Sequence, residues 1–364
     1  MITIENLHVR FNSDKGQVHA VRGVSIEVAA GEFYTLLGPS GCGKTTTLRC
    51  LAGLEKPSEG RILVGGDVVH DSARGLSVPT HKRDLGMVFQ SYAIWPHLTV
   101  FENVAFPLRE IRPKLAGAEI ERRVKGALEL VQLSGYETRP APFLSGGQQQ
   151  RLALARAIVR QTAVVLFDEP LSNLDAKLRA ETRLELRQLV KRLNMTAVYV
   201  THDQTEALTM ADRIAIMKDG QIVQEAPPEE IYKHPNSRFV ASFVGQCNFV
   251  DGAIVRAANG TGPGAIETAW GPLPFTDAGG ADVGESVTVA IRPENIVLAK
   301  SADAPAPALT GEVSEVVFMG ESLECRVRAG NADLMARLHP SQMHTVGERV
   351  AITIKPEDVS VLHG

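Results

Sequence analysis

This chain is poor in aromatic residues, which make up 5% of its 364 positions, and it has only four cysteines, Cys42, Cys50, Cys247 and Cys325. None forms a C-x-x-C pair, and no histidine stands at metal-ligand spacing, so a zinc ribbon and a disulfide framework are both excluded and four free thiols are expected. Long hydrophobic runs are also lacking. The longest, such as Ala163 to Phe167, are far too short to cross a bilayer, and the first residues do not read as an export signal, so a soluble cytoplasmic protein is expected. Nor does one sign of charge dominate. A formal net charge of -4 offers no basic surface for general nucleic-acid binding.

What the chain does have begins at Gly38-Pro39-Ser40-Gly41-Cys42-Gly43-Lys44-Thr45-Thr46. The apolar run Phe33 to Leu37 before it reads as a buried strand, and Thr45 to Leu51 after it as a helix, so the stretch fits G-x-x-x-x-G-K-[ST] in its proper context. Glycines let successive backbone N–H groups converge on an anion, and the helix N-terminus adds partial positive charge. Lys44 is then placed to reach β- and γ-phosphates, and the Thr45 hydroxyl to face a magnesium ion bridging them. A length beyond one ordinary core predicts two domains.

Alternation at Ile2, Ile4, Val9 and Phe11, and at Val24, Ile26 and Val28, predicts strands before the cradle. Phe11 is either a platform for a base or a strand-end core residue. Gly65-Gly66 predicts a tight hairpin within Arg61 to Val69. Thr99-x-x-Glu102 is a capping box, and Ile120, Val124, Leu128 and Val131 recur at helical spacing, so residues from about 91 to 160 are mostly helical. Ser145-x-x-Gln148 is a second capping box whose helix start is also a possible anion site. Asp168-Glu169 ends the buried strand Ala163 to Phe167, where open α/β sheets bind ligands, although adjacent acids at a strand end are also common surface features. Asp175 opens a helix, His202 follows a β-branched strand, and Asp203-x-x-Glu206 caps the next helix.

From about residue 246 the pattern changes to short alternating strands, an all-β domain. Ile291-Arg292-Pro293-Glu294-Asn295-Ile296 resembles Ile354-Lys355-Pro356-Glu357-Asp358-Val359, which predicts an internal repeat of two small modules. No catalytic constellation is visible in this half.

Taken in register, Gly38 to Thr45, Gln90, Leu144-Ser145-Gly146-Gly147-Gln148, Asp168-Glu169, Asp175 and His202 closely resemble the ATPase subunit of ABC transporters, over residues 1 to about 240. Ser91-Tyr92-Ala93 before Pro96-His97-Leu98-Thr99, with Leu144 through Arg151, is similar to subunits powering bacterial importers of ferric iron, polyamines or sugars. The part through Ile291-Arg292-Pro293-Glu294 looks like their TOBE-type domain.

The resemblance implies an α/β P-loop NTPase, an ABC ATPase cassette (1–240) with antiparallel β and helical subdomains, followed by an all-β OB-like domain (241–364). It implies Mg2+-dependent ATP hydrolysis powering import of a small solute, with ATP and Mg2+ as cofactors. Gly38, Pro39, Ser40, Gly41, Cys42, Gly43, Lys44, Thr45 and Thr46 would hold the phosphates, and Phe11 the adenine. Thr45, Gln90 and Asp168 would serve the metal, Glu169 would be the general base and His202 the γ-phosphate switch. Ser145, Gly146, Gly147 and Gln148 would act on the nucleotide of a second copy, with Asp175 coupling the two sites. The implied partners are a homodimer mate, membrane permease subunits docking near Gln90, Tyr92, Ile94 and Trp95, and indirectly a periplasmic solute-binding protein. The implied place is the cytoplasmic face of the bacterial inner membrane. Ferric iron or polyamine leads as cargo, with sugar, phosphonate or a soluble non-transport ABC ATPase as alternatives. A GTPase is disfavoured because no N-K-x-D motif is present. One departure is the Asn12 to Gln17 stretch after Phe11, which reads as a loop longer than is usual in such subunits.

Overall fold

The computed structural model describes residues 1–13, 16–258, 262–300 and 309–362. The chain divides into two compact units, Met1–Pro228 and Glu229–Gly364.

The first unit opens with β1 (Ile2–Ser13) and β2 (Gly16–Val28), then β3 (Phe33–Leu37), α1 (Lys44–Ala52), β4 (Glu59–Val64), β5 (Asp67–Asp71), β6 (Leu76–Ser77) and β7 (Leu85–Val88). The helices α2 (Val100–Arg109), α3 (Gly117–Leu130) and α4 (Gly146–Ile158) follow without an intervening strand. Alternation then returns with β8 (Val164–Asp168), α5 (Ala176–Arg192), β9 (Thr196–Thr201), α6 (Gln204–Met210), β10 (Arg213–Lys218) and β11 (Gln221–Ala226).

Two sheets result. One is antiparallel, in the order β2-β1-β4-β5-β6; the other runs β11-β10-β3-β9-β8-β7, and its pairs from β10 through β7 are parallel. Strands β3, β8 and β9 are buried at every residue, as central parallel strands covered on both faces must be, which is why they read as continuous apolar runs. The expected hairpin turn forms at Gly65-Gly66, and a second joins β10 to β11 at Asp219-Gly220, all four residues having positive φ. Both capping boxes, Thr99 with Glu102 and Ser145 with Gln148, are also present. Of the Asn12 to Gln17 stretch, Asp14 and Lys15 lie outside the described residues. The remainder is not loop, because Asn12 pairs with Gln17 and Ser13 with Gly16 in the β1–β2 ladder.

Arg83, only 2% exposed, is a structural element that no local pattern announces. Its guanidinium donates to Cys50 O and Leu51 O at 2.7 Å and to Val78 O at 3.0 Å. It thereby satisfies the last carbonyls of α1, which a helix otherwise leaves unpaired.

The sequence reading places the domain boundary at 240, whereas the division falls at Pro228. Two short helices, α7 (Pro228–Lys233) and α8 (Arg238–Phe243), explain the difference. Ala241 of α8 packs with Ala290 and Leu362, and buried Arg292 donates to Ala241 O at 2.9 Å and to Tyr232 O at 3.0 Å. These helices therefore fold against the β-rich unit.

That unit continues with β12 (Asn248–Arg256), β13 (Gly264–Thr268), β14 (Gly271–Phe275), β15 (Ser286–Ile291), β16 (Ile296–Lys300), β17 (Leu309–Phe318), β18 (Leu323–Ala329), β19 (Ala332–Leu338), β20 (Arg349–Ile354) and β21 (Val359–Leu362). One five-stranded sheet has the order β14-β13-β12-β15-β21 and the other β19-β18-β17-β20-β16. The two orders match strand for strand if β12–β16 and β17–β21 are equivalent modules that exchange their last strands. The two similar hexapeptides are the corners where that exchange occurs, each a single 3-10 turn between a strand of one sheet and a strand of the other.

Candidate nucleotide site

Every catalytic candidate except the Ser145 helix start and Asp175 follows the carboxyl end of a parallel strand. The cradle follows β3, Gln90 follows β7, Asp168 ends β8 with Glu169 next, and His202 follows β9. Parallel strands point their carboxyl ends to one edge, so residues far apart in sequence converge there.

In the cradle, close approach dictates glycine. A Cβ at Gly38 would lie 2.4 Å from Met217 O, and one at Gly43, where φ is +103°, would lie 2.5 Å from Ala20 O. Lys44 is buried, its Nζ donating to Gly38 O at 2.7 Å and Pro39 O at 2.9 Å. The ammonium thus closes the loop on itself through neutral carbonyls. Cys42 is also buried, and burial pushes its thiol up while Lys44 opposes the shift, so it is a poor nucleophile. Phe11 is on the surface, and its cross-strand partner Val18 is two residues from Ala20, whose carbonyl faces Gly43. That places an exposed aromatic on the sheet that borders the cradle.

Thr45 Oγ1 donates to Asp168 Oδ1 at 3.2 Å, and Arg49 stands 3.9 Å from the other carboxylate oxygen. Burial pushes the Asp168 carboxyl up from its ordinary range, against the Thr45 hydrogen bond and the Arg49 charge. A buried acid beside a hydroxyl is a donor set suited to a hard cation that takes its other ligands from phosphate and water. Among the described residues no three His, Cys, Asp or Glu side chains gather as a metal cluster. The site therefore fits Mg2+ held jointly with a nucleotide.

Glu169 has a φ of 46°, a left-handed conformation costing about 1–3 kcal/mol in a non-glycine residue. Its N–H donates to Val200 O at 3.1 Å, and its carbonyl accepts from Ser172 Oγ at 2.9 Å, which hold it there. The result is that Glu169 Oε2 lies 3.1 Å from His202 Nδ1. With the carboxylate ionised, that imidazole nitrogen donates. Base and switch candidates, 33 residues apart, are thus directly bonded.

The capping box leaves Ser145 and Gly146 exposed at the start of α4, and Asp175 is the exposed N-cap of α5, accepting from Leu178 N at 3.0 Å. The side-chain hydrogen bonds of both caps run to their own helix starts. Gln90 is likewise exposed, joined to Asn173 through its carbonyl at 2.8 Å rather than to Thr45 or Asp168 through its side chain.

A family model described as ABC transporter matches residues 21–172, and one described as TOBE domain matches residues 289–362. The chain is 45% identical to the spermidine/putrescine import ATP-binding protein PotA of Rubrobacter xylanophilus, over 99% of this chain and 90% of that one. The chain belongs to the ABC transporter ATP-binding proteins. It is also 44% identical to the trehalose/maltose import ATP-binding protein MalK of Thermococcus litoralis, over 95% of this chain and 94% of that one. With the Fe(3+) ions import ATP-binding protein FbpC of Photobacterium profundum it shares 40% identity, over 99% and 97%. Among solved structures, the dimeric bacterial ABC transporter cassette MJ0796 matches with a TM-score of 0.55 at 32% identity, covering 63% of this chain and 99% of that one. The first unit is an ABC ATPase cassette and the β-rich unit a TOBE domain.

In this ABC cassette the segment after Gln90 departs from one expectation. Tyr92 does not present its side chain for docking; it is 6% exposed and packs in the core of the helical region. The cause is local: Tyr92 and Ala93 both have positive φ, and Arg156 donates to their carbonyls at 2.6 and 2.5 Å, turning the phenol inward. Ile94 is partly buried against the same core. Trp95 instead packs against Phe106, ring centroids 4.5 Å apart and planes tilted by 42°, beneath the Arg156 guanidinium. It lines a groove of about 1080 Å³ with Phe89, Ala93, Phe106, Ile111 and Arg112. The Tyr92 hydroxyl is buried without a hydrogen-bond partner among the described residues, so Tyr92→Phe is expected to raise the thermal midpoint, by a gain of about 1 kcal/mol, with ATP hydrolysis unchanged. A lowered midpoint in calorimetry would show that the hydroxyl has a partner.

Proposed function

We propose that this chain hydrolyses Mg2+-ATP to power import of a small solute, working as two copies on the cytoplasmic side of a membrane permease. The observation that carries the reading is the convergence of the cradle, Asp168 and the Glu169–His202 pair on one sheet edge, in a chain 40–45% identical to three proteins named as import ATP-binding proteins.

In this mechanism Lys44 exchanges the carbonyls of Gly38 and Pro39 for β- and γ-phosphate oxygens, and the N-terminus of α1 receives the rest of the phosphate charge. Thr45 and Asp168, joined by Gln90 once it turns inward, would hold Mg2+, which would supply positive charge against that developing on the β- and γ-phosphate oxygens. Glu169 accepts a proton from a water aligned with the γ-phosphorus, while His202 holds the γ-phosphoryl oxygens. Positioned donors of this kind supply most of the stabilisation in phosphoryl transfer. Phe11 stacks on the adenine. Ser145, Gly146, Gly147 and Gln148 of a second copy complete the site, and Asp175 links the two sites. A short helix of the permease occupies the Trp95 groove.

The cargo is a polyamine or ferric iron. Sugar is a second reading, because the identity to the trehalose/maltose protein nearly equals that to the polyamine protein. The test is to reconstitute the chain with its permease in liposomes and measure ATP hydrolysis with candidate solute-binding proteins loaded with spermidine, ferric iron or maltose. Stimulation by one loaded binding protein is expected. Hydrolysis indifferent to all membrane partners but responsive to ribosomes or DNA would overturn the importer reading.

A further inference from the structure

A ring of polar contacts joins three segments of the nucleotide site. Ser172 ties the start of the 172–175 turn to the Glu169 carbonyl. At the other end of that turn, Arg179 of α5 reaches back and donates from Nη2 to Leu174 O at 2.9 Å. Its Nη1 stands 3.5 Å from Asp203 Oδ2, in the residue immediately after His202. The other oxygen of Asp203 caps α6, accepting from Thr205 N at 2.7 Å and Glu206 N at 3.2 Å, and its own N–H donates to Thr201 Oγ1 at 2.9 Å.

The floor beneath this ring corrects a sequence expectation. Glu206 does not fold back to complete a capping box; it is buried, and Oε2 accepts from Tyr199 OH and Thr201 Oγ1, both at 2.7 Å. The strand end carrying His202 is therefore anchored from below by Glu206 and from the side by Arg179.

We infer that the Arg179–Asp203 pair is a positioning link, holding His202 in register with the Leu174-Asp175 turn so that a second copy packing on that turn sets the His202–Glu169 contact. The inference rests on the shared-site reading above. An exposed ion pair is ordinarily worth little because two long side chains must be ordered to form it. Here each partner is already ordered by its other bond, Arg179 to Leu174 O and Asp203 to the α6 cap, and each side chain is no more than about a third exposed. The pair therefore transmits position at small entropic cost.

The experiment compares ATP hydrolysis by the full-length chain and by Arg179→Gln, Asp203→Asn, the double variant and Arg179→Lys. Asparagine keeps the capping oxygen, so α6 is preserved. Each neutral variant is expected to lower kcat about tenfold, with KM for ATP within twofold and the thermal midpoint unchanged. The double variant is expected to fall no further, and lysine to restore most of the rate. Single variants within twofold of wild type, additive losses in the double variant, or losses that follow the thermal midpoint would each overturn the link. The dependence of the wild-type rate on protein concentration reports the shared-site reading separately, so failure of one is distinguishable from failure of the other.

Discussion

Replacing Glu169 with glutamine is expected to lower the rate of ATP hydrolysis by about 10²- to 10⁴-fold, the range for loss of a positioned general base, while leaving ATP binding intact. The side chain keeps its shape and its oxygen toward His202 Nδ1, now 3.1 Å from the carboxylate, but loses the basicity to take a proton from water. The backbone hydrogen bonds to Val200 and from Ser172 do not involve the carboxylate, so the left-handed conformation and the fold survive. ATP-loaded protein should therefore accumulate as a closed pair, visible as a doubled mass in size-exclusion chromatography with ATP and Mg2+. Hydrolysis close to wild type in a single-turnover assay would remove Glu169 from the role of base.

The second large effect concerns the proposed sharing of the site between two copies. In a mixed dimer, Ser145→Arg in one copy is expected to depress hydrolysis at the site built on the other copy's Lys44 by about 10²- to 10³-fold, the loss typical of removing one donor to developing charge. Ser145 is exposed and its side chain caps only its own helix start, so Ser145→Arg costs its own chain about 1 kcal/mol of helix capping. The larger effect on hydrolysis is expected across the pair. Pairing the Ser145→Arg copy with a Lys44→Ala copy, and the converse with both changes in one copy, separates the two sites. Equal rates from the two arrangements would contradict a site shared between copies.

Much of the candidate site was legible because its chemistry is local. The cradle is contiguous, glycines are required where backbone passes within 2.5 Å of a Cβ position, and a helix begins at Lys44. The capping boxes were legible for the same reason, since both partners lie within one turn. One residue of the proposed docking segment, Tyr92, was misread because exposure is not local. Tyr92 looks like part of an aromatic surface loop, but Arg156, 64 residues away, holds its carbonyl and turns its ring into the core. Arg83, Arg156 and Arg292 each spend a buried guanidinium on backbone carbonyls, and composition rules that place arginine at the surface give no warning of this.

The sequence by itself determined the P-loop, the order of the strands and helices that carry the nucleotide motifs, and the presence of a duplicated β-rich half, because each rests on short-range periodicity or a contiguous motif. Only the tertiary structure decided three further points: that Glu169 and His202 meet, that Arg179 joins their edge to the Asp175 turn, and that the two β modules exchange their final strands. Those contacts depend on the parallel packing of strands distant along the chain, and on antiparallel pairing between modules. The phosphate ligands proposed for the Gly38 to Thr45 cradle are contiguous, but the residues proposed to act on the phosphate are brought to it by the sheet.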